Sequence, residues 1–350
     1  LESYISTLHD VTKKVDVGKY CAWGGNTECI FWKHCFQNLR DVPDTNSANK
    51  YLDSSKSFKA WGIEGKYQLI NEGYYKFDDV PMKWLVKEKH LIQRDCYDNS
   101  TEYVDKEKMQ YWFDQLEYPI YHFDFETFAC PLPRFRGEEP YRQSVFEFSL
   151  HIERKPGVCD KKNDNFIFLN EECFDDEREA LAKAIIDHFE FNDDGTLKGT
   201  MLAQNTSYEE GRLEELAELY PEYSAKLKAI RNKSADLIHL LKSNKKFYKS
   251  DFKGKETIIN YYHKDLSGSY SIKKTLPTLV PSLSYKGMDV GNGVQAYIAY
   301  INYDSSVPTA FDKGNVMKTK TERREALKRY CQQDTWAMVE ILRAVRKKIY

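Results

Sequence analysis

Ile120-Tyr121-His122-Phe123-Asp124-Phe125-Glu126-Thr127 is the stretch whose reading decides the fold. An aromatic run enters it, and it closes on two carboxylates one residue apart. In an extended strand, residues i and i+2 project to one face. Asp124 and Glu126 therefore stand side by side at a strand end. Neighbouring carboxylates repel, and burying them unpaired is costly. A divalent metal held by oxygen ligands resolves that conflict. The alternative is a strand with two solvated acids on its polar face, and the rest of the chain has to decide.

The chain has 350 residues, enough for about two domains. It is 41% hydrophobic and 14% aromatic, so it can bury a core and is not a disordered chain. Lys+Arg 52 against Asp+Glu 54 leaves a formal charge of −2. No global basic field is present, which argues against non-specific coating of DNA but leaves room for local grip on a strand end. No apolar run of about 18 residues exists, so no transmembrane helix is expected. The first residues lack a signal-peptide profile, and a start on Leu1 rather than Met fits a piece of a longer protein. Eight cysteines are too few for a disulfide scaffold, and a reducing, cytoplasmic compartment is expected.

Three regions follow from the pattern. Residues 1–40 form a Cys-rich segment with Cys21, Cys29 and Cys35. Gly24-Gly25 lets the backbone fold tightly between the first two thiols. The spacings are wider than a C-x2-C knuckle, so this is no standard zinc finger. An iron–sulfur or zinc clip needs a fourth ligand, from His34, a distant Cys or one upstream; the alternative is three ordinary buried thiols. Residues 41–115 read as a helical connector, with a polar linker at Pro43–Ser47 and a helix ending at Gly73.

From residue 116 to 350 strands and helices alternate. Strands are expected around Asp124 and Glu126, at 144–152, 165–169 and 199–203; helices at 177–189 and in one long stretch from about 210 to 241. This is an α/β pattern built on a mixed sheet flanked by helices. Glu209 falls where the strand ending at Ala203 gives way to a helix. Glu210 is its rival for the inward position, and acids at a helix start are also explained by the helix dipole. Residues 325–342 are strongly helical. Tyr330 and Asp334, spaced i and i+4, share a face there, with Asp334 on or near the buried side.

Taken together, Asp124-Phe-Glu126, Asn205-x-x-x-Glu209 and Tyr330-x-x-x-Asp334 resemble the three motifs of the DnaQ-like, RNase H-fold exonucleases of the tyrosine subtype. That resemblance implies an RNase H-like mixed sheet and two Mg2+ or Mn2+ ions. Asp124, Glu126 and Asp334 would hold one ion; Asp124 would bridge to the second, supported by Glu209. Tyr330 would orient a water. The implied activity is 3′→5′ exonuclease action on single-stranded DNA or RNA, releasing nucleoside 5′-monophosphates. Thr127, Phe128, Asn205, Lys273 and Lys274 are the candidate substrate contacts. Phe128 or Tyr141 would stack on a terminal base, and Arg323, Arg324, Lys328 and Arg329 are further candidates for phosphate. Two departures stand out. The second motif normally supplies Asp rather than Glu209, and Phe128-Ala129-Cys130 replaces the usual Gly after the first motif's Thr.

A resemblance covering almost the whole chain is to an uncharacterised bacterial family in which a RecB-type nuclease region, ending in a cysteine cluster, precedes a DnaQ-like domain. It is carried by the three cysteines, by Tyr118–Thr127, and by Pro140–Gln143 leading into Phe146–His151. Glu210–Ala217 and Gly268–Pro277 carry it further along the chain. It implies that the remaining Cys ligand lies upstream, in a RecB-type region of the same protein. The competing expectation is a catalytically weak or inactive nucleic-acid-binding scaffold within a larger nuclease; Glu209 favours it, and the other acids with Tyr330 favour the enzyme.

Overall fold

A computed structural model describes residues 41–52, 68–303 and 319–350. The cysteine-rich segment, with Cys21, Cys29, Cys35 and His34, lies outside the described residues. The chain divides into two compact units: one runs to Val104 and includes Tyr261–Tyr270, the other comprises Asp105–Asn260 and Ser271–Tyr350. In the first unit, helix α1 (Glu88–Asn99) accompanies a small core in which Tyr51 stacks on Phe77 with ring centroids 3.7 Å apart. Tyr103–Val104 pairs antiparallel with Tyr261–Tyr262 in the same unit.

The division falls at Val104/Asp105 and not at the expected 115/116. Helix α2 (Lys106–Asp114) belongs with the second unit because its side chains are buried there. Lys108 is fully buried, and its Nζ donates to Ser243 Oγ at 2.8 Å, Lys255 O at 3.1 Å and Ile258 O at 2.6 Å. Each of the ammonium's three protons therefore has an acceptor.

The second unit is built on five strands: β1 (Ile120–Ala129), β2 (Gln143–Glu153), β3 (Asn165–Leu169), β4 (Thr200–Ala203) and β5 (Ser234–Asp236). Their order is β3-β2-β1-β4-β5. The first three are mutually antiparallel neighbours, whereas β4 is parallel to β1 and β5 parallel to β4. Helices α3 (Arg178–His188), α4 (Ser207–Leu219), α5 (Ser224–Asn232) and α6 (Leu237–Lys242) follow the strands. They are succeeded by the single turn α7 (Lys245–Tyr248), α8 (Ile272–Leu279), α9 (Gly293–Ile301) and the 30-residue α10 (Lys320–Ile349). The chain is thus an α/β protein with a mixed sheet flanked by helices.

The long helix expected from 210 to 241 is instead α4, α5, β5 and α6. Pro221 ends the first segment: proline lacks the N–H a helix needs and forces its predecessor out of the helical region. Tyr220 accordingly sits at φ −126°, ψ 83°. Ser234-Ala235-Asp236 then pairs with Met201-Leu202-Ala203, and Asp236 caps α6 by accepting from Ile238 N at 2.9 Å. Gly199 must be glycine: at φ +100° a Cβ would lie 2.1 Å from Pro119 O, where β4 begins alongside β1.

The two faces of this sheet differ in chemistry. Tyr121, Phe123 and Phe125 of β1 join Phe148 and Leu150 of β2 on one face and pack on α3, α4 and α5. On the other, β1 presents His122, Asp124 and Glu126, and β2 presents Glu147, Ser149, His151 and Glu153. Helix α10 lies against that polar face. It engages Ser149 Oγ and His151 Nδ1 through Thr335 Oγ1, both at 2.8 Å. A β-bulge between Glu126 and Thr127 puts an extra residue, Phe146, into β2. Past it, Phe146 and Phe128 both pack with α9 and α10 in a second apolar cluster.

Candidate metal centre

Asp124 and Glu126 project from β1 on the face covered by α10. Strand β4 pairs β1 only as far as His122, so the α4 start comes next to the following stretch of β1. Asp124 is half-buried and Glu126 is buried. Glu209, in the first turn of α4, is 3% exposed, and Asp334, on α10, is 7% exposed. Of the two rivals on α4, Glu209 points inward, whereas Glu210 accepts a hydrogen bond from Ser234 Oγ. Asp124 and Glu126 thus lie near the start of α4 and under α10, while among the described residues the one acid or thiol group with ligand atoms all within 4.8 Å of one another is Asp124, Glu126 and Cys331.

The carboxyls act on one another electrostatically. Burial, then the charges of Asp334, Glu126 and Glu209, pushes the Asp124 carboxyl well above its usual range. Glu126 rises for the same reasons: burial first, then Asp334 and Glu209, against the pull of Lys273. Burial lifts Asp334 to about 6, although Tyr285, Lys273 and Tyr330 favour its charged form. Glu209 is pushed up to about 8 by burial, with Asp236 and Glu210 adding to it. Asp334 Oδ1 and Glu209 Oε2 find no hydrogen-bond partner among the described residues. Buried carboxylate oxygens left without a hydrogen-bond donor, in a cluster offset by the single cation Lys273, are an environment that a bound cation would stabilise.

A fifth acid joins them. Glu147 is fully buried, and neither of its oxygens has a partner among the described residues. It lies directly across the β1–β2 ladder from Glu126. Its carboxyl is held well above the ordinary range by burial and by Glu126. Sequence reasoning missed it, since in Phe146-Glu147-Phe148-Ser149 it reads as the outward residue of an alternating strand. Cys331 was missed as well: one ligand atom from each of Asp124, Glu126 and Cys331 lies within 4.8 Å of the other two.

The neighbouring groups take definite positions. Tyr330 is 3% exposed, and its hydroxyl accepts a hydrogen bond from Lys273 Nζ at 3.0 Å. Burial and then Asp334, Glu126 and Asp124 raise its pKa, so the phenol keeps its proton. Lys273, expected on a phosphate, instead faces the acids, while Lys274 is half-buried at the next position of α8. Gly293 opens α9 beside the centre: a Cβ there would lie 3.8 Å from Glu126 Oε2.

Other expectations are corrected by packing. Phe128 is 3% exposed, with the Arg134 guanidinium 3.5 Å over its ring, so it belongs to the core and no base can stack on it. Tyr141, by contrast, is 70% exposed. Thr127 is buried and bonded to Gln143 Oε1 at 2.7 Å and to the Tyr208 hydroxyl. Asn205 is exposed in a left-handed turn at φ 69°, its N–H donating to Asp236 Oδ1. The basic run on α10 is engaged within the protein. Arg323 donates to Tyr303 O at 3.1 Å, Arg324 pairs with Glu171 at 2.9 Å, and Arg329 with Asp289 at 2.9 Å. Lys328 lies 3.6 Å from Glu325.

Fold and centre together define an α/β protein with a largely buried cluster of carboxylates on the polar face of its sheet. Over residues 121–271 the sequence matches the family model of a domain of unknown function (DUF2779). That span holds Asp124, Glu126, Glu147 and Glu209 and ends before Lys273, Tyr330 and Asp334. No curated protein and no solved structure matches the chain. Among the described residues, no helix is long and apolar enough to cross a membrane.

Proposed function

We propose that the protein is a metal-dependent 3′→5′ exonuclease of the DnaQ-like kind, with an RNase H-like fold over residues 116–350. It would act on single-stranded DNA or RNA in the cytoplasm. The strand order β3-β2-β1-β4-β5, with β2 alone reversed, supports the fold assignment. The observation that supports the function best is that Asp334 and Glu209, each with an unpartnered buried oxygen among the described residues, act electrostatically on the neighbouring Asp124 and Glu126.

Asp124, Glu126 and Asp334 would hold one Mg2+ or Mn2+, and Asp124 with Glu209 a second. Such cations activate a water and stabilise the leaving 3′ oxygen of an in-line phosphodiester displacement. The chain's own residues do the rest. Tyr330 is a poor base because its phenol stays protonated, yet its hydroxyl can position water. Lys273 is a pure donor, so it occupies a lone pair of the Tyr330 oxygen, while the hydroxyl hydrogen is directed to the Asp334 carboxylate. Its charge also offsets the carboxylates beside which a phosphate must sit. Water adds to phosphorus, the P–O3′ bond breaks, and a 5′-monophosphate leaves a shortened strand with a 3′-hydroxyl.

The competing role, a nucleic-acid-binding scaffold of a larger nuclease with an upstream RecB-type region, is favoured by Glu209. Its side chain is one methylene longer than the Asp usual in this motif, and its strongest charged neighbours are Asp236 and Glu210. Incubation with 5′-labelled oligonucleotides and Mn2+ separates the two. The enzyme gives a ladder of shortened products that vanishes in Asp124→Asn; intact oligonucleotide with every divalent metal contradicts it.

A further inference from the structure

Cys331 is the buried group for which the exonuclease role has no task. Helix α10 carries it three residues before Asp334, so the two side chains share a helix face. The thiol is fully buried, and its sulfur, with one oxygen each of Asp124 and Glu126, forms a triad within 4.8 Å. Asp334 and Glu147, whose charges act on the thiol, keep carboxylate oxygens lacking partners among the described residues. A sulfur ligand changes which ions such a pocket prefers. All-oxygen sites suit Mg2+ and Mn2+, whereas a thiolate selects softer ions, and Mn2+ stands at the weak end of the divalent affinity series.

We infer that Asp124, Glu126 and Cys331 form a mixed carboxylate–thiolate site for a thiophilic divalent cation of the Zn2+, Co2+ or Cd2+ class. This rests on the proposal that Asp124 and Glu126 take a divalent cation, and it adds the identity of the ion that binds there most tightly. On binding, the Cys331 thiol gives its proton to water and its sulfur donates a pair to the metal; nothing is oxidised or reduced. Zn2+ and Mn2+ then compete for one place. The nuclease is supported by Mn2+ and blocked by Zn2+, with Cys331 setting the balance.

Cobalt titration of the full chain under anaerobic conditions tests this, because a thiolate–Co2+ bond gives a near-ultraviolet charge-transfer band that oxygen ligands do not. Wild type, Cys331→Ser, Cys331→Ala and Asp124→Asn are compared, with circular dichroism to check folding. The other cysteines contribute equally to all four, so the difference spectrum isolates Cys331. The expected result is a band component lost in both Cys331 variants and also in Asp124→Asn. Zn2+ affinity, measured against Mn2+, should fall in Cys331→Ser by at least about tenfold, the loss caused even by residues that only support a ligand. A spectrum unchanged by Cys331 substitution removes the thiol from the site, as does a Cys331 band indifferent to Asp124→Asn. If wild type takes up Mn2+ no better than Asp124→Asn does, the underlying cation site fails instead.

Discussion

Glu153 and Glu147 lie six residues apart on one strand, on one face, both fully buried, yet in opposite electrostatic states. Around Glu153 every need is met. Arg346 Nη1 donates at 2.6 Å, His122 Nε2 at 3.0 Å and Gly157 N at 2.7 Å. Against the burial that would raise it, the His122 hydrogen bond and the Arg346 charge hold its carboxyl down at about 2. Glu147 has no hydrogen-bond partner among the described residues, and burial with Glu126 pushes it far the other way. The same residue type is a structural ion pair at one end of the face and part of a charge deficit at the other. Burying an acid is costly in both places; at Glu153 hydrogen bonds and an arginine offset that cost, whereas at Glu147 only the more distant charges of Lys328 and Arg324 do so.

The comparison can be broken at either end. Asp124→Asn removes the residue shared by both proposed ion sites. Activity on a labelled oligonucleotide should drop by about 1000-fold, equivalent to the several kcal/mol a cation supplies at the transition state. At the opposite end, Arg346→Met strands the Glu153 charge and should cost about 3 kcal/mol in urea unfolding, with Glu153→Gln in the same chain restoring part of it. Tyr330→Phe should lower turnover by about 10–100-fold while Mn2+ affinity, read by calorimetry, stays unchanged, because the hydroxyl positions water rather than metal.

The smallest effect separates the two glutamates by pH. Glu147 has a raised pKa, so its charge costs stability as pH rises above the ordinary carboxylate value, and Glu147→Gln should remove that cost. In metal-free protein at pH 8 the variant should melt roughly 2–4 °C higher for each kcal/mol recovered, the gain vanishing in acid. Glu153 has a lowered pKa, so its contribution is complete above about 4.5 and lost as pH falls to about 2. Glu153→Gln should flatten that acid limb alone.

Much of the centre was legible in the sequence, and what escaped did so for physical reasons. The carboxylates of Asp124 and Glu126 could be placed on one face because strand alternation is strictly two-residue; Tyr330 and Asp334 could be set on a shared helix face by their i, i+4 spacing, with Ala337, Met338 and Ile341 marking Asp334 as on or near the buried side. Alternation says which side chains share a face but not whether that face is wet. His122, Glu147, Ser149 and His151 therefore read as solvent-facing until α10 covers them. Glu147 becomes part of the centre only through its pairing with Glu126, a register that two separate strands do not announce. Lys273 was picked out as a candidate phosphate contact, but its hydrogen bond to Tyr330 was not foreseen, because nothing local reveals that α8 brings the two together. The helical run from 210 to 241 hid β5 because three residues are too short to break a helical pattern, though Pro221 marks the first break.

Manganese diffused into crystals of the full chain, and located by its anomalous scattering, tests the cation centre most directly. The account predicts one ion among Asp124, Glu126 and Asp334 and a second between Asp124 and Glu209, with neither near Glu153. Manganese absent from these carboxylates at a concentration that saturates binding in solution, or bound only elsewhere on the chain, would contradict it.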